Sequence, residues 1–379
     1  MSVQPIVEFR QVNIKNSDKD FGFETEQLMN GLRNEGFVYI TDIPGFDEDE
    51  LFRLTNKLFA LEAEKKMAIA KHTFNSININ HYRGYFPLIP GGHSYKEAFE
   101  FGSFNFPLNN GKGLRMTSSG RPYMQDVLHE PNVWPEFDTE TETHEFKTGM
   151  QTFFTLMTSV SQRLLKMLSM GMGMKEDFWE HFCGRGDYMS TFRLLHYPTR
   201  THLKSEEIPP VAREEDGTLV TTGQHSDTSF MTLLSTFQNP GLQVHLRDPK
   251  IEGAMRWVDV PNRKNCLVMN IGRLLAKLTD GELQATMHRV VDIGEERYSA
   301  PYFFEPSFFA DISRTVSGQE MKEEGEDEIE ATKRHIKETS GGGERVNEEF
   351  KWVYGPWMAC NAAKFAEWKT TDFGIPIRE

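Results

Sequence analysis

The chain has 379 residues, 42 Lys and Arg against 56 Asp and Glu for a net charge of −14, and 38% hydrophobic residues, among them 29 Phe. This is a globular composition with length for one large domain or two ordinary ones, which excludes a disordered or fibrous chain. The acidic balance argues against phosphate backbones and anionic lipid, so neither nucleic acid nor a membrane surface is an expected partner.

Helical spacing of Phe23, Leu28 and Leu32 predicts a helix over Phe23–Glu35, followed by a strand over Phe37–Ile40. Asp47–Ala70 reads as a second helical stretch, acidic at its start and with Lys65 and Lys66 late, as a helix dipole favours. Gly84, Pro87, Pro90, Gly91 and Gly92 then mark a loop-rich segment. A third helix is expected over Glu145–Met170, where Phe153, Leu156, Val160, Leu164 and Leu168 form one stripe.

After about Asp187 the pattern changes to short apolar or β-branched runs separated by turn signals. Seven are expected: Ser190–Tyr197, Phe230–Ser235, Leu242–Leu246, Arg256–Val260, Cys266–Ile271, Met287–Ile293 and Tyr298–Glu305, with a short helix at Arg273–Leu278. They imply a sandwich or barrel, with a helical N-terminal half wrapped around a β core. The charged run within Gly318–Glu349 cannot bury much apolar surface and reads as a mobile solvated insertion, with a lid over a site as the alternative. The aromatic tail from Phe350 is expected to pack on the core as helix. The divisions so read are 1–120, 121–186, 187–312, 313–349 and 350–379.

Cys183, Cys266 and Cys360 are too irregularly spaced for a disulfide framework or a zinc knuckle. Met1–Arg10 lacks the pattern of a signal peptide, and no apolar run approaches the roughly 20 residues of a membrane span. The expectation is a soluble cytoplasmic protein with no obligatory protein partner.

His225-Ser226-Asp227 places an imidazole and a carboxylate two residues apart, and on a strand such residues share a face. With His288 from a later strand they would form two imidazoles and one carboxylate, the facial triad of non-haem Fe(II) oxygenases. Alone, the tripeptide arises often at turns by chance. Arg297 and Ser299 add weight, because a guanidinium beside a hydroxyl on one strand face suits a carboxylate anion, although a strand-borne salt bridge is the ordinary role of such an arginine.

Gln224–Leu234, Gly241–Val244, Trp257–Pro261, Asn270–Gly272, His288–Val290 and Arg297–Pro301 resemble, in order, the blocks of the isopenicillin N synthase-like family of Fe(II)/2-oxoglutarate dioxygenases. The opening PIVEF, the Gly36–Ile40 strand and Tyr82–Pro87 are similar to that family's N-terminal region, so the resemblance covers most of residues 5–310. It implies an α+β protein whose core is a double-stranded β-helix, or jelly roll, with a helical N-terminal domain and a C-terminal helical tail.

Carried over residue by residue, the resemblance makes His225, Asp227 and His288 the iron ligands and Arg297, Ser299 and Tyr197 the holders of 2-oxoglutarate. It puts Arg83, Tyr85 and Phe304 at substrate-facing positions, and Arg193 is a further candidate for a charge aimed at the pocket. Leu195 stands where many members have Asn, Ser229 where Gly is usual, and Arg273 where Asp often follows Asn-Ile-Gly. The implied cofactors are Fe(II), 2-oxoglutarate and dioxygen, with ascorbate as a reductant in vitro. The implied reaction oxidises a small metabolite, one that in this reading carries a carboxylate, by hydroxylation, desaturation or ring closure with release of succinate and carbon dioxide. An oxidase of the isopenicillin N synthase or aminocyclopropane-carboxylate oxidase type, which does not consume 2-oxoglutarate, is the first alternative. A non-catalytic binding protein on the same scaffold is the second.

Overall fold

The computed structural model describes residues 8–89, 94–104, 115–116, 122–183, 189–204, 207–321 and 352–362. Most of the charged insertion and the last 17 residues lie outside them, and with them the expected mobile insertion and the helical tail beyond Ala362.

Gln11–Asn13 (β1) pairs in parallel with Phe37–Thr41 (β2), and between them Phe21–Asn34 (α1) is capped by Asp20, whose side chain accepts from the Phe23 N–H. The expected long second helix is two. Glu48–Phe59 (α2) ends at Ala60, and Ala63–Ala68 (α3) restarts after an extended Glu62. The break is held by Lys66, whose ammonium reaches back to the Phe59 carbonyl and to Glu97. Glu140–Gly171 (α5, after the short α4 at Met124–Leu128) opens on a full capping box, Thr139 with Glu142, and runs further at both ends than the apolar stripe predicts.

The strands form two sheets. One has eight strands in the order β1-β2-β10-β7-β12-β5-β4-β3, and the other four in the order β6-β11-β8-β9. Here β3 is Gly84–Phe86, β4 Glu97–Gly102, β5 Thr191–Tyr197, β6 Val220–His225 and β7 Met231–Ser235. Then follow β8 Leu242–Arg247, β9 Met255–Asp259, β10 Leu267–Ile271, β11 His288–Val291 and β12 Arg297–Phe304. Arg273–Leu278 (α7, after α6 at Glu180–Cys183) is the expected short helix, and Tyr354–Ala362 (α8) begins the C-terminal tail. This is the jelly-roll architecture.

All seven expected strands form. The strand expected at Phe37 forms as well (β2), and four further ones were not legible: β1, β3, inside the segment read as loop, β4 and β6. Gly84 has φ +117°, and a Cβ there would lie 2.4 Å from the Ile69 carbonyl oxygen, so the glycine is required by close approach within a strand rather than by a turn. Four strands of the N-terminal half, β1 to β4, extend the large sheet, so that half contributes sheet as well as helix.

Alternation divides the large sheet. Phe99, Phe101, Phe192, Tyr302 and Phe304 face the helices and join one buried cluster with Phe146 and Phe154 of α5. At about 25 cal/mol per Å2 of apolar surface, burying five aromatic side chains of that size is the dominant attachment of α5 to the sheet. The opposite face looks into the space between the two sheets and holds the site.

Candidate active site

β6 and β11 run antiparallel in the small sheet with His225 directly opposite His288. The two imidazole rings are 4.3 Å apart, and Phe37 of the large sheet stands edge-on to His288 at 5.6 Å. His225 is the last residue of β6, and Asp227 lies in the turn beyond it, not on the strand as the sequence reading had it. The turn does what the strand phase was expected to do. Asp227 Oδ1 lies 3.8 Å from His225 Nε2 and 3.7 Å from His288 Nε2, and one donor atom from each of the three residues falls within 4.8 Å of the others.

The turn is pinned from behind. The Arg273 N–H donates to the Asp227 carbonyl and the Gly272 N–H to that of Phe230. A Cβ on Gly272 would fall 1.8 Å from the Ser229 oxygen, which explains the glycine of Asn270-Ile271-Gly272. Asn270 Nδ2 and Thr232 Oγ1 both donate to Asp227 Oδ2, at 2.8 and 2.7 Å, so that oxygen is occupied and Oδ1 is the one turned to the histidines. Burial raises the Asp227 carboxyl, but the two imidazoles and these two donors outweigh it and leave the pKa below the ordinary value.

Each histidine is oriented in the same way. Nδ1 of His225 lies 2.8 Å from the Gly223 carbonyl and Nδ1 of His288 lies 3.2 Å from that of Thr286, so each Nδ1 carries the proton and each Nε2 keeps its lone pair. Lost hydration, then the neighbouring His288, push His225 down to about 4. Two imidazole Nε2 atoms and an ionised carboxylate oxygen that converge on one point form a donor set suited to a divalent first-row metal.

On the large sheet, β12 places Arg297 and Ser299 on the interior face opposite Tyr197 and Leu195 of β5. Arg297 is 2% exposed; its Nε donates to the Pro240 carbonyl at 3.0 Å, its Nη1 to Ser299 Oγ at 3.2 Å, and its guanidinium lies 4.9 Å from the Tyr197 ring centre. No carboxylate among the described residues pairs with it. Tyr197 is held below its usual pKa: burial raises it, but Lys96 and Arg297 outweigh that. It also hydrogen-bonds Ser299 and Thr222. Thr222 belongs to β6, three residues before His225, so this contact ties the arginine wall to the histidine strand.

Two models of known families match the chain. The 2OG-Fe(II) oxygenase superfamily matches residues 191–306, and the N-terminal region named for a non-haem dioxygenase in morphine synthesis matches residues 5–137. The chain belongs to the 2OG-Fe(II) oxygenase superfamily. This oxygenase is 29% identical to isopenicillin N synthase of Streptomyces clavuligerus over 279 residues, 73% of this chain and 77% of that one. It is 27% identical over 297 residues to a probable iron/ascorbate oxidoreductase of Dictyostelium discoideum, covering 75% and 76% of the two chains. Among solved structures, a full-length Neurospora crassa protein in complex with alpha-KG and 5-formyluracil aligns with a TM-score of 0.63 at 25% identity, over 85% of this chain and 96% of that one. The superfamily's cofactors are Fe(II), 2-oxoglutarate and dioxygen.

The four substrate-facing expectations divide. Arg193 lies on the interior face of the oxygenase, where its Nε donates to Glu100 at 2.5 Å and its guanidinium lies 5.1 Å from the Phe303 ring. Arg83 reaches the end of the same wall, donating from Nη1 to Thr191 Oγ1 at 2.5 Å beneath Gly102. Tyr85 and Phe304 do not join them. Tyr85 is on the helix-facing side, hydrogen-bonded to Glu97, and Phe304 is fully buried in the helix-facing cluster. The correction follows from strand parity: if Arg297 and Ser299 face inward, so do Phe303 and Glu305, and Phe304 cannot. Parity would have found Phe303 from sequence. Lys71, whose ammonium is buried against Glu100, and Lys96, which donates to Thr222 Oγ1, carried no signal because the strands that receive them were not recognised.

Proposed function

We propose that this protein is a 2-oxoglutarate-dependent dioxygenase that oxidises a small organic metabolite and releases succinate and carbon dioxide. The observation that carries this reading is the buried Arg297 guanidinium beside Ser299 and Tyr197, without an acid of its own among the described residues, on the wall opposite a His-Asp-His donor set. An unpaired buried cation costs several kcal/mol unless an anion joins it, and the far carboxylate of 2-oxoglutarate is such an anion. Similarity to the Neurospora crassa protein, solved with alpha-KG, supports the same co-substrate.

In this reading His225, Asp227 and His288 hold Fe(II), and Arg297, Ser299 and Tyr197 hold 2-oxoglutarate. Together the metal and co-substrate supply dioxygen activation coupled to decarboxylation. The chain's own residues do the rest. Asn270 and Thr232 keep Oδ1 of Asp227 aimed at the metal position, the carbonyls of Gly223 and Thr286 hold the imidazole protons on Nδ1, and Phe37 covers one side of His288 against water. Arg193, Arg83 and Phe303 stand together on the inner wall beyond Ser299 and suit a small substrate with an apolar body and an anionic or carbonyl group.

The test is anaerobic mixing with Fe(II) and 2-oxoglutarate, followed by oxygen. A visible charge-transfer band and then succinate, stimulated by a substrate, is the expected result, with ascorbate present as reductant. Similarity to isopenicillin N synthases, together with Leu195 in place of the usual Asn, favours one second reading, a 2-oxoglutarate-independent oxidase. Oxygen uptake with an added substrate but no succinate would replace the first reading by the second.

A further inference from the structure

The inner face of β12 carries, in order, Arg297, Ser299, Pro301, Phe303 and then Glu305, one residue past the strand. Arg297 and Ser299 are assigned above to the co-substrate. Glu305 has no such role, and no basic side chain among the described residues pairs with it. Its Oε2 accepts from the Phe230 N–H at 3.1 Å and from the Tyr354 hydroxyl at 2.5 Å. Its Oε1 has no protein partner among the described residues, and the residue is only partly covered, so Oε1 is the open atom.

Both donors come from elements with other reasons to be where they are. Phe230 is three residues past Asp227 in the pinned turn, with its side chain against Trp179. Tyr354 is brought back by the C-terminal segment: Ile312 donates to the Trp352 carbonyl, Tyr354 to Ala310 and Gly355 to Phe308. Gly355 packs so closely that a Cβ would meet the Phe308 ring at 2.3 Å. Tyr354 is itself fully buried. The carboxyl is therefore held on one oxygen by two fixed donors, which leaves any proton it carries on the other. Burial pushes Glu305 up to about 8, more than the two donors lower it, which agrees with a carboxyl that is neutral near pH 7.

We propose that Glu305, on the inner face just beyond β12, is a specificity-determining residue, donating a hydrogen bond from Oε1 to a carbonyl or carboxylate oxygen of the substrate, and that Tyr354 of the C-terminal helix is the positioning residue that sets it. The proposal rests on the dioxygenase reading and adds to it the substrate class, a small metabolite with an acceptor oxygen, and a role for α8 in the site. A cation near the same wall, Arg193, already has Glu100 as partner, so the two groups do not neutralise each other.

The test uses the full chain loaded with Fe(II) and 2-oxoglutarate. Thymine and 4-methylbenzoate are the probes, p-xylene is the control without an acceptor oxygen, and succinate is the readout. At least one probe, and not p-xylene, should stimulate succinate. Glu305→Leu should raise the KM for that probe about tenfold or more, the size of one lost hydrogen bond to a polar partner. Tyr354→Phe should raise it by about threefold, and Glu305→Gln, whose amide keeps a donor toward the cavity and an acceptor for Tyr354, should stay near wild type. The KM for 2-oxoglutarate and the charge-transfer band should not move in any of the three. Equal effects of Glu305→Leu on both Michaelis constants, a Gln variant as impaired as the Leu variant, or no stimulation by either probe while the band is present would overturn the proposal. Absence of the band in the wild-type protein would instead bring down the dioxygenase reading, and this one with it.

Discussion

The space between the two sheets has two ends built on the same alternation and filled in opposite ways. Toward β2, β10, β8 and β9 it is closed by Phe37, Tyr39, Val244, Val258, Cys266 and Val268, an apolar cluster without a charge. Toward β12, β5 and β4 the corresponding positions are Arg297, Arg193, Glu100, Ser299 and Tyr197, with Lys71 reaching in from outside the sheet. The reverse side of those same strands is the aromatic cluster against α5. Charged groups on the inner face therefore rest on strands that the outer face already secures. The site occupies the end where the sandwich does not need its interior to be apolar, and the metal donors stand at the seam, with Phe37 of the dry end against His288.

That contrast is most sharply broken at the seam. Asp227→Ala removes the one oxygen that faces both imidazoles, and the expected outcome is loss of stoichiometric iron on anaerobic titration and a fall in succinate turnover of at least about a thousandfold. The backbone bonds from Gly272 and Arg273 still hold the turn, but Asn270 and Thr232 lose their acceptor, so the melting temperature should fall by a few degrees and iron is titrated on protein shown to be folded. A variant that binds iron as the wild type does would show that Asp227 is not a ligand.

Next in size is the ion cluster of the wet end. Burial raises the Glu100 carboxyl, but Arg193 and Lys71 bring it down to about 2, below the ordinary 4.5. A carboxyl whose folded pKa lies below its unfolded one stabilises fully above pH 4.5, and loses that contribution as pH falls toward 2. Glu100→Gln leaves Lys71 buried without its counter-charge and should cost about 3 kcal/mol at about pH 7. Denaturant unfolding from about pH 7 down to about pH 3 should then show the variant converging on the wild type on the acid side. A constant difference across that range would mean that the cost is one of packing and not of charge.

Arg297→Met tests the wet end where the co-substrate is expected. Loss of a charge-assisted pair of hydrogen bonds is worth about 2 to 3 kcal/mol, so the KM for 2-oxoglutarate should rise by roughly 30- to 150-fold while iron affinity holds. Removing a buried charge that has no protein counter-ion among the described residues should also leave the ligand-free protein at least as stable as the wild type. A destabilised variant with an unchanged KM would assign Arg297 to the scaffold.

The dry end was the legible part of the fold. Leu242–Leu246, Cys266–Ile271 and the strand at Phe37 are apolar runs whose period declares them. At the wet end β5 and β12 were expected and formed, but β4, and β6 of the small sheet, were hidden because polar and charged side chains fill them. Val220–His225 has one apolar residue, and Glu97–Gly102 has two glutamates that read as solvent-facing until Lys66, Lys71, His196 and Arg193 are placed around them. The His-Asp-His cluster was recognisable from its residue types and order, yet Asp227 reaches His288 through a turn and not through strand phase. Phe304 was misdirected because position in a familiar block was followed where strand parity should have decided, and Tyr85 because β3 was read as loop and offered no parity to follow.

The smallest expected effect bears on whether the two ends are independent. Val258 of β9 is 5% exposed, sits opposite Val244 in register, and belongs wholly to the apolar cluster. Val258→Ala removes two buried methyl groups and should cost about 1.5 to 2 kcal/mol in denaturant unfolding. The KM for 2-oxoglutarate and the iron titration should stay at their wild-type values, because the cavity it opens is bounded by Val244 and Val260 and not by the metal donors. If Val258→Ala instead weakens iron binding, the dry end is not simply holding the sheets together. It would then be setting the separation between β11 and β2, and with it the distance from His288 to Phe37, so that packing on one side of the seam tunes the metal donors on the other.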